Sequence, residues 1–135
     1  MTKLYIDTNV IIDAVEGRKN LLGNDIGDYA MKLFCEAVSC KYDIIFSSFT
    51  AYELNKISST NLTIFLSWIK KKIIKVLHDE KDEERARQLD NSNFDDALHV
   101  VLAEKASADF IVTRNIKDFK AITTRIQIKR PEELI

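Results

Sequence analysis

Short apolar runs separated by segments of helical spacing constrain this chain more than any other feature. Lys3–Ile6 is rich in β-branched and aromatic residues, and Asp43–Ser47 and Phe110–Thr113 read as buried strands. Ile126–Ile128 reads as a short edge strand. Ile73–Leu77 fits a strand too, although its pattern alone does not separate strand from helix. Between these runs, apolar residues recur at helical spacing. They do so from Val10, from Asp28 to about Cys40, around Ala51, Leu54 and Ile57, over Thr60–Lys72, and from Phe94 with Leu98, Val101, Leu102 and Ala106 on one face. The charged stretch His78–Gln88 reads as a solvated helix, and Pro131 suits the first turn of a terminal one. The break after the first helix falls at Gly17, followed by polar residues to Asn20 and a loop through Gly23 and Gly27. Strands this short and apolar, each followed by a helix, specify a parallel sheet covered by helices on both faces. The expectation is an α/β protein, a three-layer α/β/α sandwich around a central parallel sheet of about five strands. Residues 1–135 would form a single domain.

Composition narrows the classes. With 46% hydrophobic and 30% charged residues, the chain can fill a core and still wet a surface, which excludes disorder. A formal net charge of −1 gives no global field, so attraction for nucleic acid must come from local clusters. Cys35 and Cys40 form no CxxC pair and stand at no zinc-finger spacing from His78 or His99. They read as free thiols in a reducing compartment. No signal peptide is visible, and no apolar run approaches the roughly 20 residues that span a bilayer. A cytoplasmic location without membrane insertion is the expectation.

In open parallel sheets the working site lies outside the carboxyl ends of the strands, where strand order reverses. That rule gathers the acids. Asp7 ends the first strand, Glu53 follows the second, Asp96 opens a helix, and Asn115 and Asp118 follow the Phe110–Thr113 strand. Carboxylates that meet in a crevice repel one another unless a divalent cation neutralises them. Mg²⁺ and Mn²⁺ favour such oxygen ligands. Each acid has a plainer reading. Asp7 could cap the helix after it. Thr50-Ala-Tyr-Glu53 fits a capping box, as does Ser92-Asn-Phe-Asp95. The second box explains Asp95 and leaves its neighbour Asp96, about 100° around the helix, as the better ligand. Asp118 could cap a turn. Asp13, Asp25, Asp28, Asp79 and the acids of 80–84 read as solvated, and His99 as a packed or surface histidine rather than a general base.

Four segments together resemble the PIN domain family, most closely the VapC-type toxins of toxin–antitoxin pairs. They are Tyr-Ile-Asp7-Thr-Asn-Val-Ile-Ile-Asp, Ser-Phe-Thr-Ala-Tyr-Glu53-Leu, Asp96-Ala-Leu-His-Val-Val-Leu-Ala and Phe-Ile-Val-Thr-Arg-Asn115-Ile-Lys-Asp118-Phe. The closing Ile-Gln-Ile-Lys-Arg-Pro-Glu-Glu-Leu is similar to the family's last strand and helix. The resemblance implies a PIN-like fold and Mg²⁺- or Mn²⁺-dependent endoribonuclease action on single-stranded RNA. It makes Asp7, Glu53 and Asp96 the metal-binding acids, with Thr8 and Thr113 ordering the site. The chain departs from the family at Asn115, where a fourth acid is common. Asp118, three residues on, is the candidate substitute.

RNA would need cations near the crevice. Arg114 and Lys117 lie within a site motif, whereas the Lys70–Lys72 cluster reads as solvated surface. Tyr52 and Phe119 could stack on a base or belong to the core. The resemblance further implies a homodimer and, in toxins, an antitoxin protein that blocks the crevice. Two other functions compete: a catalytically silent PIN fold that binds RNA or protein, favoured by Asn115, and a phospho-accepting receiver-like domain. The receiver lacks its paired acid beside Asp7 and leaves Glu53 without a role. Gly-rich phosphate loops are absent.

Overall fold

A computed structural model describes residues 1–19, 22–23, 25–57 and 59–135. The loop residue Asn20 named above lies outside them. Five strands, β1 (Thr2–Ile6), β2 (Tyr42–Ser47), β3 (Ile73–Val76), β4 (Phe110–Val112) and β5 (Gln127–Lys129), form one sheet in the order β3-β2-β1-β4-β5. Every pairing is parallel. The ambiguous 73–77 run is thus a strand, held by pairing with β2 rather than by its own pattern.

Among the described residues, seven α-helices connect the strands: α1 (Thr8–Glu16), α2 (Ile26–Val38), α3 (Ser48–Leu54), α4 (Thr60–Ile69), α5 (Glu80–Asp90), α6 (Phe94–Lys105) and α7 (Ile116–Lys120). The terminal helix expected at Pro131 is a single 3-10 turn, Pro131–Glu133. Alternate residues of each strand serve opposite faces. Leu4, Ile6, Ile44 and Val112 pack with α1, α2 and α4. Tyr5, Ile45 and Ile111 pack with α6, α7 and Ala86 of α5. The three-layer α/β/α sandwich is therefore present, with two cores separated by the sheet.

Two helix starts differ from the sequence expectation. α3 begins at Ser48, and Ser47 is its cap, with the hydroxyl accepting the Thr50 amide at 3.0 Å. The expected Thr50–Glu53 capping box is not formed, which releases Glu53. α6 is preceded by Asn93, and the Ser92 hydroxyl donates to Asp90 at 2.8 Å. The Ser92–Asp95 box is therefore also absent, and Asp95 is exposed. A capping box does form where none was expected, between Asp79 and Asp82 at the start of α5. Asp13 is buried rather than solvated, and it faces Arg18 at 3.7 Å and Arg114 at 3.9 Å. Its surroundings are tight: a Cβ on Gly27 would lie 2.6 Å from the Asp13 carbonyl oxygen, so only glycine lets α2 start there.

Candidate metal-dependent active site

β1 and β4 are neighbours in the sheet, yet their helices leave in opposite directions, and the acids collect at this switch point. Asp7 extends the β1 ladder, its amide donating to the Val112 carbonyl at 2.9 Å. Thr113 extends β4 likewise, onto Lys129 at 2.9 Å. The Thr113 hydroxyl then donates to Asp7 Oδ2 at 2.9 Å and accepts the Asn115 amide at 3.0 Å. Asp7 forms no full side-chain cap on α1, although the Asn9 amide of that helix lies near its carboxylate. It is 4% exposed. Burial pushes its carboxyl above the usual range, and Glu53 adds repulsion. His99, the Thr113 hydroxyl and the Asn9 amide only partly oppose this.

On the β2 side, Glu53 Oε1 accepts from the Thr8 hydroxyl at 2.7 Å and lies 2.7 Å from His99 Nε2. His99 is buried on α6, 4.0 Å from Asp7 Oδ1. Its Nδ1 meets the Tyr5 hydroxyl at 2.6 Å, and that hydroxyl reaches Ser47 at 2.8 Å. A buried chain therefore runs from the α3 cap through Tyr5 and His99 to Glu53. Burial opposes charge on His99. Tyr5, the bond to Glu53 and the carboxylates of Asp7 and Glu53 outweigh it and raise the imidazole to about 10. Glu53 responds in the other sense: burial would raise it, but the His99 bond and charge, Thr8 and Lys56 hold it below the usual range.

On the β4 side, Asp96 accepts from Asn93 Nδ2 at 3.0 Å and from Asn115 Nδ2 at 3.4 Å. Burial raises its carboxyl, and Asp7 and Asp118 add repulsion, against the Asn93 bond and the more distant His99. Asp118, in the first turn of α7, thus shares the field of this cluster.

The expected residues divide as follows. Asp7 is bonded by Thr113 and lies within electrostatic reach of Glu53 and of Asp96, Asn115 touches Asp96, and Asp118 is exposed at the rim. Lys117 is exposed beside it. Arg114 is turned away: it pairs with Glu132 at 2.9 Å and donates to the Ile26 carbonyl at 3.3 Å, tying the chain terminus to α2. Phe119 is fully buried and belongs to the core. His99 is packed, in keeping with the sequence reading, but it packs against Glu53, and its bond to Tyr5 was not foreseen. Spacing held the clue, since His99 is one helical turn after Asp96 and Tyr5 is two residues before Asp7 on the strand.

The donors are all oxygen, burial raises two of the acids, and His99 lies against Glu53 and Asp7 on the other side. This chemistry fits Mg²⁺ or Mn²⁺. Among the described residues, no three Asp, Glu, His or Cys side chains gather closely enough to enclose an ion unaided. Mg²⁺ asks less, taking one or two carboxylates and completing its shell with water and phosphate.

A sequence profile of the PIN domain matches residues 3–117. The chain belongs to the PIN domain family. The PIN fold also appears in solved relatives. VapBC2 from Rickettsia felis, bound to a DNA fragment from its promoter, aligns with a TM-score of 0.64 and 21% identity over 96% of this chain and 98% of that one. VapBC-1 from nontypeable Haemophilus influenzae aligns with a TM-score of 0.62 and 20% identity, over 96% and 98%. At such identities the likeness is one of fold. No curated protein matches the sequence. Among the described residues, no helix is long and apolar enough to cross a membrane.

Proposed function

We propose that this PIN domain is a divalent-metal-dependent endoribonuclease that hydrolyses phosphodiester bonds of single-stranded RNA, acting as the toxin of a toxin–antitoxin pair. The observation that carries the reading is the convergence of Asp7, Glu53 and Asp96 at the switch point, with two carboxyls pushed upward by burial and repulsion. A protein that only bound RNA would gain little from burying like charges there.

Asp7 and Asp96 would hold the cation, Mg²⁺ or Mn²⁺, with Glu53 and Asp118 flanking them. When bound, it neutralises the carboxylates and supplies Lewis acidity toward the phosphodiester and the attacking water. Thr113 fixes Asp7, Asn93 and Asn115 fix Asp96, and Thr8 and His99 fix Glu53, so the acids face substrate in set orientations. The Glu53 carboxylate, kept ionised by His99, is placed to accept a hydrogen bond from water and orient it. Lys117, exposed at the rim, would meet a flanking phosphate. Arg114 is committed to Glu132 and would hold the scaffold instead. Asn115 contributes an amide donor to Asp96 where a fourth acid would contribute charge. That favours occupancy by one strongly held ion over two.

The solved relatives above are VapBC complexes. On that likeness, a small antitoxin partner, a homodimeric arrangement and a cytoplasmic location belong to the same reading. Cleavage of a mixed single-stranded RNA pool in Mg²⁺ or Mn²⁺, lost with EDTA and lost in Asp7→Asn, is the expected result. A folded wild-type protein that binds Mn²⁺ but cleaves nothing would leave a silent RNA- or protein-binding module, the reading that Asn115 favours.

A further inference from the structure

Glu53 borders two spaces. One is the carboxylate crevice; the other is a cavity of about 410 Å³ between α3 and the first turn of α6. Phe49, Tyr52, Lys56, Phe94, Leu98 and Asp95 line it, with His78 and Glu83 closing the side toward α5. Its volume is in the range of small-molecule sites. Tyr52 is 56% exposed and is stacked on Phe49, with ring centroids 6.3 Å apart and planes within 14°. Phe49 is itself buried, so the tyrosine ring is backed by the core rather than left to swing. An exposed aromatic ring held flat beside a charged crevice is a stacking platform.

The polar groups add direction. Lys56 Nζ lies 4.5 Å from the Tyr52 ring centroid. An exposed contact of that kind is weak, so the ammonium can leave the ring for a phosphate at little cost. Asp95 and Asp96 are adjacent on α6 and point about 100° apart. One turn of helix thus gives Asp96 to the crevice and Asp95 to the cavity. A carboxylate there accepts hydrogen bonds and donates none. Flat rings, one mobile cation and carboxylate acceptors, Asp95 foremost, suit a nucleotide. An apolar peptide face would leave Lys56, Asp95 and Glu53 covered without partners.

We propose that this cavity receives the nucleobase next to the phosphodiester at the carboxylate cluster and selects bases carrying an exocyclic amine. The base stacks on Tyr52, its amine donates to Asp95, and Lys56 takes the adjoining phosphate. Uracil has no amine and is the disfavoured base. The inference rests on the ribonuclease reading for its substrate class.

Binding without catalysis tests it on the intact protein. Fluorescently labelled oligouridine, and the same oligomer with one adenine, cytosine or guanine, would be titrated in EDTA at low salt and followed by anisotropy. At least one amine-bearing oligomer should bind about fivefold or more tighter than oligouridine. Tyr52→Ala should weaken it roughly tenfold, in line with the loss of one stacked base. Tyr52→Phe should restore it, and Asp95→Asn should remove the preference over oligouridine. Equal affinity for all four, or binding of none, would overturn the proposal, as would unchanged binding in Tyr52→Ala. Cleavage in Mn²⁺ reports separately. A protein with base preference but no cleavage keeps the pocket and loses the nuclease. One that cleaves all sequences equally, indifferent to Tyr52→Ala and Asp95→Asn, keeps the nuclease and loses the pocket.

Discussion

Glu53 and Asp96 flank the same buried Asp7, and their surroundings treat charge in opposite ways. Glu53 is served from within the fold: Thr8 and His99 both bond its Oε1, and its carboxyl sits below the usual range. Asp96 receives only neutral amides from Asn93 and Asn115, faces Asp7 and Asp118, and sits above it. Burial alone cannot account for the difference, because it raises both. The protein carries its own counter-charge on one side of the site. On the other it leaves a deficit that an added cation can fill.

The largest effect should come from breaking the shared centre. Glu53→Gln or Asp7→Asn should lower metal-dependent RNA cleavage by about 10²–10³-fold in single-turnover assays, the scale of losing one preorganised electrostatic group. Breaking the internally compensated side should cost stability. His99→Leu leaves the Tyr5 hydroxyl with Ser47 alone and Glu53 with Thr8 alone, and should destabilise the fold by about 3 kcal/mol in urea titrations at pH 7. The pH dependence has a definite sign. His99 is raised from 6.5 to about 10, so its contribution is complete below 6.5 and is lost as pH rises through about 10. The gap between wild type and His99→Leu should therefore narrow over that window.

The deficient side should behave in reverse. Asn115→Asp adds charge beside Asp96 and should tighten Mn²⁺ binding by about tenfold, roughly 1.4 kcal/mol. An unchanged titration would place Asn115 outside the coordination shell. The smallest effect is on stability without metal. A raised carboxyl favours the folded state at low pH, and that advantage is lost as pH rises from 3.8 through the folded value. At pH 7 the charge on Asp96 is a burden, so Asp96→Asn in EDTA should raise Tm by about 1–3 °C. Adding Mg²⁺ should raise Tm for wild type and leave Asp96→Asn nearly unmoved.

This contrast also marks where the sequence was readable. Asp7 and Asp96 follow from the rule that acids at strand ends meet at a switch point, Thr113 came only with the family resemblance, and the strand–helix alternation that places them was plain. Glu53 was ambiguous because Thr50 offered it a capping partner. Pairing of β2 with β1 and β3 settled that by starting α3 early, with Ser47 as its cap. The Tyr5–His99–Glu53 chain was hidden for another reason. It joins residues 94 and 46 positions apart: local spacing sets Tyr5 near Asp7 and His99 near Asp96, but does not bring them to each other or to Glu53. Arg114 looked like a phosphate ligand by its place in the motif, and only the fold brings Glu132 to it.

The central claim is that the Asp7–Asp96 side of this site is completed by a divalent cation. Mn²⁺ titration of the metal-free protein by electron paramagnetic resonance, with wild type beside Asp96→Asn, tests it most directly. The account predicts saturable binding to wild type and at least tenfold weaker binding to the variant. Equal affinities, or no saturable binding to either, would contradict it.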